Sequence, residues 1–240
     1  MEYSCISDVG LLREKNEDSY LSIKNEYGDF LAIVADGIGG GLAGEVASGE
    51  LVKYFKPIFE KSGPFNNLED IKNFLNYHID KANRLIYDLS LSNKNYSGMG
   101  TTMTGILIHD DLTLTFNVGD SRVYGCLDGK IIQLTRDHSL VNKMLDDGKI
   151  TYEESLNHEL KHYLVKAMGI YSKVKADINL IDKMDYYVIC SDGLHGLLSE
   201  SEMLNIIYRN ISIDEKVIEL KNHALLNGGY DNITVVLVKN

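Results

Sequence analysis

Three strongly apolar runs in this chain each border an aspartate. They are Phe30-Leu31-Ala32-Ile33-Val34-Ala35 before Asp36, Tyr186-Tyr187-Val188-Ile189-Cys190 before Ser191-Asp192, and residues 233–238 after Asp231-Asn232. Runs this apolar and this short read as buried strands. Asp18, closing Arg13-Glu14-Lys15-Asn16-Glu17-Asp18, and Asp120, in Val118-Gly119-Asp120-Ser121-Arg122, also stand where strands meet turns. A carboxylate at the end of a buried strand is costly unless something positive gathers it with others. An oxygen-only set without thiolates or a histidine pattern points to a hard divalent cation, Mg²⁺ or Mn²⁺. The chain therefore reads as a metal-site protein, and as an enzyme.

Strand patterns cover residues 2–7, 18–24, 30–35, 101–109, 112–118, 121–127, 130–134, 176–180, 186–191 and 233–238. Asp128-Gly129 between two of them predicts a type I′ hairpin, so Asp128 is a turn residue rather than a site residue. Helical periodicity runs over residues 41–60, 68–91, around 140–146, 200–209 and 214–226. Leu68, Ile71, Leu75, Ile79, Ala82 and Ile86 recur at three and four residues and define one apolar helix face. Strands outnumber helices, and the helices come in pairs separated by runs of strands, which suits a layered α+β fold better than alternating βαβ units. Only Pro57 and Pro64 occur and no linker divides the chain, so residues 1–240 are expected to form one domain.

Two other phosphate-handling chemistries can be weighed on residues alone. Gly39-Gly40-Gly41-Leu42-Ala43-Gly44 satisfies the dinucleotide pattern G-x-G-x-x-G after a strand and before a helix. Asp36 would then sit beside a pyrophosphate, and no second strand with a terminal acid follows at the usual distance. These glycines are better explained by close backbone approach to metal and phosphate. An aspartyl-phosphate mechanism needs a D-x-D nucleophile at a strand end. Asp36 is followed by Gly-Ile and Asp192 by Gly-Leu, so that chemistry lacks its main residue. Thr101-Thr102 has no adjacent base and reads as core packing rather than as a nucleophile. His158 and His162 lie four apart, yet a zinc site would lack other ligands.

Eight short motifs, in order from residue 7 to residue 234, resemble the metal-dependent protein phosphatases, the type 2C serine/threonine phosphatase family in its compact bacterial form. They are Ser7-Asp8-Val9-Gly10 with Arg13; Asn16-Glu17-Asp18; Val34-Ala35-Asp36-Gly37 with Gly39-Gly40; Gly98-Met99-Gly100-Thr101-Thr102; Val118-Gly119-Asp120-Ser121-Arg122; Leu134-Thr135-Arg136-Asp137-His138-Ser139; Ser191-Asp192-Gly193; and Asp231-Asn232-Ile233-Thr234. The resemblance implies a four-layer α/β/β/α sandwich, two antiparallel sheets flanked by helices on both outer faces. It implies two Mn²⁺ or Mg²⁺ ions and a third held more weakly. Asp36 would bridge the inner pair, the Gly37 carbonyl would complete one shell, and Asp192 and Asp231 would bind the other ion. Glu17 and Asp18 would act through metal-bound waters or support the second metal, Asp120 would serve the third ion, and Arg13 would hold the substrate phosphate, for which its planar fork is suited. Ile38 stands where animal relatives carry a general-acid histidine, which leaves that role unassigned and a metal-bound water as the donor. His138 reads as ordering a turn. Polar residues 147–167 match the family's flap. For Asp120, pairing with Arg122 in a turn is the plain alternative.

The implied reaction is hydrolysis of phosphoserine and phosphothreonine by a metal-bridging hydroxide. A catalytically inactive relative acting as a binding module, and a phosphohydrolase of small phosphoesters, are the alternatives. Phosphorylated proteins and a serine/threonine kinase are the implied partners, and the expected assembly is a monomer. A formal net charge of −11 argues against nucleic acid and against an anionic membrane surface. Cys5, Cys126 and Cys190 lie in strand-like runs and read as free thiols of a reducing compartment. With no signal-peptide pattern at Met1-Glu2-Tyr3-Ser4, a cytoplasmic location is expected.

Overall fold

The computed structural model describes residues 1–38, 43–156, 158–160 and 163–240. Among the described residues, twelve strands follow one another: β1 (Glu2–Asp8), β2 (Ser19–Lys24), β3 (Phe30–Ala35), β4 (Gly37–Ile38), β5 (Gly100–Thr101), β6 (Met103–His109), β7 (Leu112–Val118), β8 (Arg122–Leu127), β9 (Lys130–Gln133), β10 (Asp177–Ile181), β11 (Tyr186–Cys190) and β12 (Ile233–Lys239). Between them lie α1 (Gly44–Glu60), α2 (Leu68–Ser92), α3 (Leu140–Asp146), α4 (Tyr152–Leu156), α5 (Asp192–His195), α6 (Glu200–Ile207) and α7 (Ile213–Leu226). One sheet runs β1-β12-β11-β8-β9, a second runs β10-β7-β6-β3-β2, and β4 pairs with β5. Every pairing is antiparallel.

Each central strand buries both of its faces, which explains the unbroken apolar runs. In β3, Leu31, Ile33 and Ala35 join the core under α1 and α2, whose Leu51, Phe55, Ile71, Leu75 and Ile79 complete it. The alternate residues Phe30, Ala32 and Val34 face Tyr187, Ile189, Val236 and Val238 of the opposite sheet. In β12, Ile233, Val235 and Leu237 turn outward to Met203 and Ile206 of α6 and Val217 and Leu220 of α7. The period of two thus sends one set of residues inward and the other under helices. Three stacked cores make the expected four layers.

The helices begin where local chemistry says they should. The Asn67 side chain accepts from the amides of Glu69 and Asp70 at the start of α2. Ser199 with Glu202, and Ser212 with Glu215, form capping boxes for α6 and α7. Asp128 and Gly129 both have positive φ, 50° and 71°, as the predicted hairpin requires. Cys126 and Cys190 are buried free thiols, and Cys5 is partly exposed. Among the described residues, no helix is long and apolar enough to cross a membrane.

Candidate active site

Antiparallel register brings the predicted carboxylates to one end of the sandwich. Ser19 lies opposite Ala35, so Asp18 enters β2 beside the exit of β3 at Asp36. Cys190 lies opposite Val235, which places Ser191-Asp192 beside Asp231-Asn232. Cys190 also faces Arg122, which brings in the β7–β8 turn that carries Asp120.

Backbone clamps hold these positions. The Asp36 amide donates to Thr102 Oγ1 (2.9 Å), while the Asp36 carbonyl accepts from the Thr102 amide (2.8 Å) and from Thr101 Oγ1 (2.9 Å). The Gly37 amide donates to the Glu17 carbonyl (3.1 Å), and a Cβ on Gly37 would press on the backbone of Gly44 and Glu17. Asn232 works as a rivet: its Oδ1 accepts from the Glu17 amide (2.8 Å), and its Nδ2 donates to the carbonyls of Val9 and Lys15 (both 2.9 Å). Ser191 Oγ donates to Asp18 Oδ2 (2.7 Å) and accepts from the Thr234 amide (3.0 Å). Ser7 Oγ joins Thr234 Oγ1 (2.7 Å) to Asn16 Nδ2 (2.8 Å).

Thr101, Thr102, Asn232 and Ser191 are the residues that reading the sequence undervalued. Thr101 and Thr102 are buried as expected, but their hydroxyls bind the carbonyl and the amide of Asp36 rather than only filling the core. A signal was available for three of them, since Thr101 borders Gly100, Ser191 borders Asp192 and Asn232 borders Asp231. Gly39 to Leu42 and His162 lie outside the described residues, so neither the glycine cradle nor the His158–His162 pair is characterised.

Electrostatically the cluster is starved of positive charge. Asp36 is pushed well above the usual carboxylate range, first by burial and then by the charges of Asp18, Asp192, Asp120 and Asp231. Burial and the charges of Asp192 and Asp231 carry Asp18 to about 7, against the opposing hydrogen bonds of Thr234 and Ser191. Asp120 also rises to about 7, through burial and then Asp192 and Asp137. Glu17 is raised by burial and Glu45, with Arg13 and Lys15 opposing. Like charges packed this way favour protonation or a bound cation.

Two expectations meet corrections or additions. Asp120 does not pair with Arg122. That guanidinium grips Asp137 instead, Nε to Oδ1 at 2.9 Å and Nη2 to Oδ2 at 2.7 Å, and also donates to the Tyr124 hydroxyl at 2.8 Å. Arg13 rests on Asp231, Nη2 to Oδ2 at 2.7 Å, with half of its side chain exposed.

The donor set fits a hard divalent cation. Asp18 Oδ1 is buried and accepts no hydrogen bond from any described residue. Among the described residues no three His, Cys, Asp or Glu side chains converge to hold a cation on protein ligands alone.

Comparison with known proteins gives the class. The family profile described as Protein phosphatase 2C matches residues 13–223. The chain is 37% identical to a putative protein phosphatase 2C-type of Streptococcus pyogenes serotype M6, over 100% of this chain and 98% of that one. Its fold is similar to that of the serine/threonine phosphatase Stp1 from Staphylococcus aureus, with a TM-score of 0.93, 33% identity, and 100% and 94% of the two chains covered. It is also similar to the catalytic domain of the serine threonine protein phosphatase PstP in complex with two manganese ions, with a TM-score of 0.84, 30% identity, and 99% and 97% covered. The chain belongs to the protein phosphatase 2C family, and it is a metal-dependent serine/threonine protein phosphatase.

Proposed function

We propose that this chain hydrolyses phosphoserine and phosphothreonine on proteins, with Asp36, the Gly37 carbonyl, Asp192 and Asp231 holding two Mn²⁺ or Mg²⁺ ions. When bound, such a pair supplies the nucleophile by lowering the pKa of water, and it polarises the phosphoryl oxygens. Asp36 would be the ligand shared by the two ions, as the family resemblance implies, and its burial among Asp18, Asp192, Asp120 and Asp231 disfavours its charge in the absence of a cation. Glu17 and Asp18 would hold waters of the ions or support the second ion. Asp120, alone at the edge beside Asp192, serves a third and weaker ion. Arg13 leaves Asp231 to hold two phosphate oxygens of the substrate. Residues 147–167 form a flap within a catalytic domain that spans residues 1–240. With Ile38 next to Gly37, no side chain on that strand can protonate the leaving alkoxide, and a water takes that role.

The proposed partners are phosphorylated proteins and the serine/threonine kinase that makes them. Nucleic acid and anionic membranes are not partners, given the net charge of −11. The protein is proposed to be a cytoplasmic monomer. The observation that carries the reading is the gathering of Asp18, Asp36, Asp120, Asp192 and Asp231 into one mutually repelling cluster.

The test is phosphate release from a phosphothreonine peptide with Mn²⁺ and with excess chelator, for the wild type, Asp36→Ala and Asp192→Ala. Activity is expected with Mn²⁺ only, and nearly none in either variant, while both variants melt at or above the temperature of the metal-free wild type because repulsion is relieved. Full turnover in chelator overturns the two-ion reading. Turnover of small aryl phosphates but of no phosphopeptide overturns the choice of substrate.

A further inference from the structure

We propose that His138 is a positioning residue that couples the turn carrying Asp120 to the far end of residues 147–167. The inference deepens the reading above and rests on it, since that reading gives Asp120 and the 147–167 segment their roles.

His138 lies between β9 and α3 and uses every polar group it has. Its amide donates to the Gly119 carbonyl at 2.9 Å, and its own carbonyl accepts from the Val165 amide at 2.9 Å. Ring Nδ1 accepts from the Gly119 amide at 3.0 Å. Both backbone groups of Gly119 therefore end on this one residue, with Asn117 Nδ2 adding a second donor to the carbonyl at 3.1 Å. Gly119 has φ of 114°, and a Cβ there would meet the Thr102 side chain. The turn holding Asp120 is thus shaped by one glycine and fastened by one histidine.

The other edge of the ring faces a different part of the fold. Nε2 lies 3.1 Å from Asp177 Oδ2 on β10 and 3.1 Å from Lys166 Nζ, while Lys166 Nζ lies 3.3 Å from Asp177 Oδ1. A backbone amide can only donate, so Nδ1 is the acceptor and the ring proton sits on Nε2, given to Asp177. Lys166 is then held by the second Asp177 oxygen. The ring is buried, which favours this neutral form and lowers its pKa. Next to these contacts, the Leu140 amide donates to the Tyr163 carbonyl at 2.7 Å, and Met168 exchanges hydrogen bonds with Thr101, the residue that binds the Asp36 carbonyl. Movement of residues 163–168 must therefore pull on the His138 ring and carbonyl together, and through Gly119 on Asp120. A histidine that merely ordered the turn would need only the Gly119 side of this arrangement.

Two substitutions separate the two edges. His138→Asn keeps an acceptor near the Nδ1 position but cannot reach Asp177. His138→Gln reaches towards Asp177 but leaves the Gly119 amide without its acceptor. Calorimetric titration of the metal-free full chain with Mn²⁺ reads the Asp120 side without reference to turnover. Steady-state kinetics on a phosphothreonine peptide reads the 147–167 side.

His138→Gln is expected to weaken the weakest Mn²⁺ phase by about tenfold, as loss of a supporting hydrogen bond behind a ligand does. His138→Asn is expected to keep that phase and to raise the phosphopeptide KM more than it lowers kcat, and Asp177→Asn should reproduce the effect of His138→Asn. Equal losses in both histidine variants, or a lower melting temperature with no split between the two readouts, overturn the coupling. If the wild type shows no Mn²⁺-dependent hydrolysis, the functional reading itself fails. If the wild type is active and only the split is missing, the coupling alone fails.

Discussion

Arg13, proposed to hold the substrate phosphate, is found on an unexpected partner, Asp231. Their contact at 2.7 Å is exposed on the arginine side, so it contributes at most about 1 kcal/mol to stability. Arg13→Ala should therefore barely move the melting temperature, yet raise KM and lower kcat for a phosphopeptide, because the lost fork serves ground and transition states alike. Arg13→Lys should recover only part of the loss, since it restores charge without two-point geometry. Wild-type kinetics for Arg13→Ala would make this residue a surface arginine. Asp120 teaches the reverse lesson. Its neighbour Arg122 lies two residues away and looks like a natural partner in sequence. The β8–β9 hairpin instead folds Asp137 back onto Arg122, and the bidentate pair leaves Asp120 facing Asp192. Nothing local to residues 118–122 announces a partner fifteen positions downstream.

Elements long enough to show a period were legible, and short ones were not. The apolar face of α2 and the periodicity of α6 and α7 mark these helices in the sequence, and the observed bounds differ from expectation by a residue or two. α4 and α5 have five and four residues, too few to display a helical repeat. α5 matters nonetheless, because it starts at Asp192 and Gly193 presses its backbone against Asn232. A Cβ on Gly193 would run into the Asn232 carbonyl. Gly193→Ala should force α5 away from the start of β12, at a cost of roughly 1–3 kcal/mol for overpacking. Because Asn232 also ties down Glu17, Val9 and Lys15, Mn²⁺ affinity should fall along with the melting temperature. Thermal melts with and without Mn²⁺ check this, and a variant with both values unchanged would mean that the contact can relax freely.

Across the whole molecule, three apolar layers hold a cluster of acids at one end, and pH should expose the tension between them. Asp18 and Asp120 bind protons up to about pH 7 in the metal-free native state, whereas an unfolded chain loses them near the ordinary carboxylate value. Their protonation thus favours the metal-free native state at low pH, and that contribution is lost as pH rises through about 7. A cation must displace the same protons, so its binding strengthens over that range. The difference in melting temperature between Mn²⁺-saturated and chelated protein should therefore widen between about pH 5.5 and 7.5, and a flat difference would mean the carboxylates are already ionised. The amino-acid sequence by itself determined which segments are strands, which helix faces are apolar, where the hairpin turns, and that aspartates stand at strand ends. These properties are local, written in periods of two and 3.6 and in the chemistry of caps and turns. The tertiary structure alone decided that Glu2 pairs opposite Lys239, that Thr101, Thr102 and Asn232 clamp the carboxylate-bearing backbone, and that Arg122 chooses Asp137. Those outcomes depend on which distant strands pair and how two sheets stack, and the packing free energy that selects them is a property of non-local surfaces which no window of sequence contains.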